Sequence, residues 1–317
     1  MTSETVGEFA QRWLSDFPRP KQSTVVAYRG AVRRFQAGVK GVAARSPRDV
    51  SVRTARAYGR AHPHDVAALR AFWGDMKREG LCTENPFSEL GVVRAHGRRR
   101  LRVITKEELS RLEAIALEIH GEEYGPVLAA AIRFAAYSTM RPSEIFGLDR
   151  SDIDLKKGLV HVRRQFHQRR IELPKNGLAR ELPYLPGQAA EAAEVMLDLP
   201  ATVCPQTEGE ILFPGILGGR VSQQMLSDYW QPVRRAFEGG LSAERRLELR
   251  ESRPPSKRDM VFYELRHAGA TWLIEAGVES WIVALMLGHE DGGRLVEKVY
   301  GHPSERVARE KLEKVDA

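Results

Sequence analysis

The chain has 317 residues, 42% of them hydrophobic and 29% charged, with a formal net charge of +7 and a pI near 9.5. That length supports two domains and a sizeable core, and no apolar run approaches the roughly 18 residues a membrane-spanning helix needs. The start "MTSETVGEFAQRWL" lacks a basic stretch leading into an apolar one, so no secretory leader is expected, and Cys82 and Cys204 give neither a disulfide framework nor a metal spacing and read as reduced thiols.

The positive charge is concentrated at the front. Residues 1–103 hold 20 Lys/Arg against 9 Asp/Glu, whereas residues 104–317 hold 29 against 33. A basic first third points to a polyanionic partner, most simply nucleic acid. In "TVGEFAQRWLSDF" the spacing of Val6, Phe9, Trp13 and Leu14 predicts a helix with one apolar face. "STVVAYRGAVRRF" predicts a second, with Ser23 as a candidate N-cap and Val25, Tyr28, Val32 and Phe35 on its apolar side. Arg29, Arg33 and Arg34 fall on the other side, and Arg29 and Arg33 are candidate DNA contacts. "HPHDVAALRAFWGDMKREG" predicts a third helix closed by Gly80. These helices form an expected helical domain over 1–90.

Residues 91–103, "GVVRAHGRRRLRV", carry five arginines and no acid. Such a segment is often merely solvated, but here it joins a basic domain to the next one and can follow a phosphate backbone, with Arg98, Arg99 and Arg100 as candidate contacts. The second domain, 104–317, opens with a capping-box pattern at Thr105 and Glu108. Helices continue through "GPVLAAAIRFAAYS" to "PSEIFGLD", where Pro142 suits a first helical position. "GLVHVRRQF", "RRIELPKNG" and "ARELPYL" then alternate as short strands with tight turns, and helical patterns resume near residue 187. The expected class is mainly α: an N-terminal helical domain, then a mostly α domain with a small antiparallel sheet. No phosphate-cradling glycine loop and no metal-binding spacing is seen.

Taken singly, the polar residues of the second domain have ordinary readings. Arg141 at a helix start can pair with Glu144, a turn lysine such as Lys175 is usually solvated, and a lone His289 or Tyr300 is usually structural. Arg266 differs, because its helix carries Leu265, Ala268, Trp272 and Leu273, and an arginine facing a core needs an anionic partner.

The segments "MRPSEIFGLDRSDID", "LPKNG", "YELRHAGATWLIEAGV", "LMLGHEDGG" and "VYGHPS" follow one another in this order. With the helices ending in "NPF", they resemble the tyrosine recombinases, or phage integrases, along nearly the whole chain. The resemblance implies Arg141, Lys175, Arg266, His289 and Tyr300 as catalytic residues, with Glu144, Tyr263 and His267 in supporting positions or at the phosphate. It implies a core DNA-binding domain (1–90), a basic linker (91–103) and a catalytic domain (104–317). Duplex DNA is the implied partner, with four protomers on two recombination sites, no metal and no cofactor. The implied location is the cytoplasm, at the nucleoid. The first helix begins almost at once, so no arm-site domain is expected ahead of it.

The implied reaction is attack of Tyr300 on a DNA phosphodiester, giving a 3′-phosphotyrosine and a free 5′-hydroxyl; a second 5′-hydroxyl then reverses the step, so no ATP is needed. Arg141 and Arg266 would hold the non-bridging oxygens, His289 would donate to one, and Lys175 would protonate the departing 5′-oxygen. The chain departs from the family pattern in two places. Tyr263 replaces the first histidine of "HxLRH", and "EDGG" lengthens the step from His289 to Tyr300. A phenol can donate a hydrogen bond but is a poor base near neutral pH, so three readings of Tyr263 stand: phosphate donor, packing residue, or mark of a weakened enzyme. The expected role is integration and excision of a mobile element or phage. Xer-type chromosome-dimer resolution, a topoisomerase-like relative and a catalytically weak DNA-binding relative are the alternatives.

Overall fold

Caps and apolar periodicity set the element boundaries in the computed structural model, which describes residues 4–16, 22–90, 103–175, 177–182, 186–199, 210–251 and 259–300. The chain divides into two compact units, Met1–Arg98 and Arg99–Ala317. That division falls inside the 91–103 segment, and Arg98, Arg99 and Arg100 lie outside the described residues, as do Cys204 and the tail after Tyr300.

The described helices of the first unit are α1 (Val6–Asp16), α2 (Gln22–Gly38), α3 (Val52–Ala61) and α4 (Val66–Arg78). Val6, Phe9 and Trp13 of α1 are buried with Val32 and Phe35 of α2, and with Phe72 and Trp73 of α4. Their rings meet edge-on, as at Phe35–Trp73 (5.2 Å, 83°) and Trp13–Phe72 (5.0 Å, 78°), the arrangement favoured by ring quadrupoles. α2 begins at Gln22, so Ser23 lies within its first turn and not at its cap. The third expected helix starts later than the pattern suggested, at Val66. It ends with Gly80 at positive φ and Leu81 N–H donating back to Met76 carbonyl at 3.0 Å. Helix α3 was not anticipated. Its "VRTARAYGRA" offers little apolar surface, and the Ser51 side chain caps it by accepting from Thr54 N–H at 3.2 Å.

The second unit is built on α5 (Lys106–Ser138), which is broken at Gly121 (φ 57°, ψ −157°). Its start carries the expected capping box: Thr105 N–H donates to Glu108 Oε2 at 2.9 Å, and Glu108 N–H to Thr105 Oγ1 at 3.2 Å. There follow α6 (Pro142–Ile145), β1 (Ile153–Asp154), β2 (Leu159–Val162), β3 (Gln165–His167), β4 (Arg170–Glu172) and β5 (Arg180–Leu182). The remainder is α7 (Gly187–Asp198), α8 (Gln223–Gly239), α9 (Ala243–Glu251), α10 (Glu264–Glu275), α11 (Ser280–Leu287) and α12 (Arg294–Tyr300). Helices α7, α8 and α10 pack on α5. The strands form an antiparallel β1-β2-β5 sheet and a separate β3–β4 pair, with Val160 opposite Leu182 and Phe166 opposite Ile171. The expected small antiparallel sheet is therefore present but split in two. Val160, Val162 and Leu182 point inward, while β3 runs beside α6 and so next to Arg141. The architecture is mostly helical with this small antiparallel component. Among the described residues no helix is long and apolar enough to cross a membrane.

Candidate active site

α5 delivers the first arginine. The helix ends in Thr139, a fully buried non-glycine residue at φ 54°, a conformation that persists only where its surroundings enforce it. Two residues later Arg141 precedes α6, where Pro142 supplies the fixed φ of a first helical position. Glu144 is completely buried. It accepts from Arg141 N–H (3.1 Å) and Arg141 Nη1 (2.9 Å), and from both terminal nitrogens of Arg180 on β5 (2.9 and 2.8 Å). Burial pushes this carboxyl up, but Arg180 first and then Arg141 outweigh it and hold it at about 2. Arg141 is thereby fixed by one nitrogen. Among the described residues the rest of its fork is uncommitted, and it lines a cleft of about 660 Å³ with Tyr263, Phe262 and Trp230.

The second arginine is buried more deeply. Arg266, 2% exposed on α10, donates from Nη1 to Thr139 carbonyl (2.8 Å) and from Nη2 to Leu287 carbonyl (2.9 Å). It thus closes the C-terminal ends of α5 and α11, where helix dipoles favour a cation. Two glycines make this possible. At Gly269 a Cβ would stand 1.8 Å from Ala136 carbonyl, so only glycine lets α10 approach α5 this closely. At Gly288 the backbone is left-handed (φ 65°), and His289 N–H returns to Ala284 carbonyl at 2.9 Å, a Schellman closure of α11. That closure leaves Leu287 carbonyl for Arg266 and turns His289 inward. Among the described residues no carboxylate pairs with Arg266. Burial, followed by Arg141, holds its guanidinium down to about 10, against the opposing pull of Tyr263. A buried cation bonded only to neutral groups is costly unless an anion arrives from outside.

His289 Nε2 lies 3.3 Å from Arg266 Nη2, and burial, then Arg266 and Arg141, keep this imidazole below its usual range. Its Nδ1 is buried with no hydrogen-bond partner among the described residues. Tyr300 closes α12, is 8% exposed, and shares a hydrogen bond with His267 Nδ1. Burial raises its phenol above the ordinary range, Arg266 opposing. Tyr263, the residue before α10, is 38% exposed. Its ring meets His267 edge-on (5.1 Å, 68°) and lies under the Arg266 guanidinium at 5.9 Å.

The structure therefore brings Arg141, Glu144, Tyr263, Arg266, His267, His289 and Tyr300 into one neighbourhood from α5–α6, α10, α11 and α12. Lys175 is exposed on the turn between β4 and β5, where Gly177 N–H donates to Pro174 carbonyl at 2.7 Å. Arg29 and Arg33 of α2, one turn apart, line a cleft of about 510 Å³ in the first unit with Gln11 and Ser15. Arg34 is instead committed to buried Asp65, at 2.6 and 3.0 Å. Sequence reasoning missed Arg180. Its only signal was its position just past the Lys175 turn, and its pairing with Glu144 depends on strand register.

Two guanidinia and an imidazole converging beside a phenol form a receptor for a tetrahedral anion next to an oxygen nucleophile. A model of the phage integrase family matches residues 102–306. Tyrosine recombinase XerC of Mycobacterium bovis (strain BCG / Pasteur 1173P2) is 30% identical over 230 residues, 71% of this chain and 66% of that protein. XerC of Pseudomonas syringae pv. syringae is 28% identical over 71% of this chain and 64% of its own. The matched region thus spans just under two thirds of these relatives. Among solved structures, the Tn1549 transposon integrase in complex with a circular intermediate DNA superposes with a TM-score of 0.77 at 16% identity, covering 98% of this chain and 100% of that one. A lambda integrase tetramer bound to a Holliday junction gives 0.66 at 17% identity, over 96% and 80%. At those identities the likeness concerns the fold alone.

Proposed function

The chain belongs to the phage integrase family, and from that premise we propose that it is a site-specific DNA recombinase that cuts and rejoins duplex DNA through a 3′-phosphotyrosine at Tyr300. The observation that carries this reading is Arg266, a buried guanidinium bonded to two carbonyls and an imidazole, with no carboxylate partner among the described residues. A phosphodiester supplies the missing negative charge. Arg141, braced through Glu144, takes the same phosphate from the other side, and His289 donates to a non-bridging oxygen. Each such donor contributes about 3–4 kcal/mol to the transition state. Lys175, carried on its turn, protonates the leaving 5′-oxygen.

In this reading residues 1–90 are a core DNA-binding domain, with Arg29 and Arg33 on phosphates and the 91–103 arginines following the backbone. Protomers assemble as a tetramer on two sites. The exposed apolar pair Trp281 and Leu285, one turn apart on α11, supports such self-association. The tail after Tyr300 is the segment exchanged between neighbours, and the protein acts in the cytoplasm on nucleoid DNA. The role is integration and excision of a mobile element, to which the Tyr263 departure inclines. The likeness to XerC proteins favours a second reading, resolution of chromosome dimers.

The test is trapping on nicked duplex. Wild type forms a covalent complex, and Tyr300→Phe forms none while still shifting the same DNA. A Tyr300→Phe protein that retains the complex overturns the assignment. Mapping the adduct on genomic DNA separates the roles: sites at the two ends of an element support integration, and one chromosomal site supports resolution.

A further inference from the structure

We propose that His267 is the base that takes the nucleophile's proton, doing for Tyr300 what the phenol at 263 cannot. This rests on the phosphotyrosine reading above. Consecutive residues of α10 divide the work: Arg266 reaches the ends of α5 and α11, and His267 faces α12, where its Nδ1 is hydrogen-bonded to Tyr300 Oη. The imidazole is flanked by both tyrosines, Tyr263 at 5.1 Å and Tyr300 at 5.8 Å between ring centroids. Since a phenol donates, Nδ1 carries the lone pair and Nε2 the proton, which is the neutral tautomer.

The other candidates are engaged elsewhere. His289 turns its Nε2 to Arg266, and Tyr263 is a half-exposed phenol whose ring packs on His267. Lys175 stands on its exposed turn. Among the described residues, the charged and titratable groups around His267 are Tyr263 just before its helix, Arg266 on it, His289 after α11 and Tyr300 on α12. Burial first, then Arg266 and His289, hold the imidazole down to about 4, so it is unprotonated and available at neutral pH. A phosphate seated on Arg141 and Arg266 offsets the cationic field that depresses it, so DNA binding itself raises the basicity of this histidine.

As the Tyr300 Oη–P bond forms and the P–O5′ bond breaks, the phenol proton passes to Nδ1 and the 5′-oxygen takes a proton from Lys175. In the rejoining step the incoming 5′-hydroxyl returns its proton to Lys175. The imidazolium gives its own back to Oη as the phosphotyrosine bond breaks.

The experiment measures single-turnover adduct formation on nicked duplex for wild type and His267→Asn, each with natural tyrosine or a more acidic ring-fluorinated tyrosine at position 300. His267→Asn is expected to slow adduct formation about 10²–10⁴-fold, the range for a lost general base, with DNA affinity unchanged. The fluorinated phenol should recover at least about tenfold of that loss. Adduct formation at the wild-type rate or faster overturns the proposal, because His267 then only packs against Tyr300 or restrains it. So does a deficit that fluorination leaves untouched. Should the asparagine variant fail to fold, the pH profile of the His267-intact protein decides. An acid limb that stays fixed on fluorination supports an imidazole base, and one that moves with phenol acidity contradicts it. Absence of any adduct in wild type would instead remove the phosphotyrosine reading itself, and this inference with it.

Discussion

Among the described residues of the N-terminal unit, each buried carboxylate has its charge answered within the unit. Asp65 takes Arg34 at 2.6 and 3.0 Å and the Tyr58 hydroxyl at 2.9 Å, and Asp75 takes Trp13 Nε1 at 2.6 Å and an ion pair with Arg78. In the C-terminal unit Glu144 is answered in the same way by Arg141 and Arg180, but Arg266 hydrogen-bonds, among the described residues, only to carbonyls and an imidazole. Both units close-pack their cores. A buried charge completed by the protein holds the fold together, and one left incomplete is held open for something the protein binds. That contrast, more than the overall basicity of the first unit, marks where the chemistry resides.

The contrast can be broken at several points. Arg266→Gln should lower the rate of adduct formation about 10²–10³-fold while its thermal midpoint stays close to wild type, because the loss of its hydrogen bonds to two carbonyls is offset by removing a buried cation that has no ion-pair partner among the described residues. A large loss of stability in that variant would make Arg266 a structural residue. Glu144→Gln should cost about 3 kcal/mol of stability at neutral pH and also slow adduct formation, because Glu144 braces Arg141. The sign follows from linkage. Glu144 is held at about 2 in the folded protein, below its ordinary 4.5, so its stabilisation is complete above about pH 4.5 and disappears as pH falls toward 2. Urea midpoints of wild type and variant should therefore converge below pH 3, and parallel curves down to that pH would contradict the pairing. Asp65→Ala strands the Tyr58 hydroxyl and should cost about 1–3 kcal/mol, with adduct formation per folded molecule unchanged. Tyr263→Phe is the smallest change. A few-fold slowing is expected if the hydroxyl touches the phosphate, and no change if the ring only packs on His267, as read from single-turnover rates.

Much of the fold was legible because it is written in local chemistry. The faces of α1 and α2, the Thr105–Glu108 box, the Gly80 stop and the Pro142 start each need only neighbouring residues. Helix α3 was not legible, since the apolar face of "VRTARAYGRA" is small, Ala55, Tyr58 and Gly59 among three arginines, and it is held by its Ser51 cap and by Tyr58 packing on Phe35. Nor was the break at Gly121, or the separation of the β3–β4 pair from the β1-β2-β5 sheet. For the site, the order of motifs singled out the arginines, His289 and Tyr300 as candidates, but not which contacts complete them. That Arg180 braces Glu144 depends on the register of β5 against β2. His267 lies in a helix whose neighbours Leu265 and Ala268 are core, so the sequence gives no sign that its ring turns toward Tyr300.

The most direct measurement is to trap the protein on nicked duplex DNA, digest the complex and identify the peptide that carries the DNA. Attachment at Tyr300 is the expected result. Attachment at Tyr263, the exposed tyrosine beside Arg266, would contradict it.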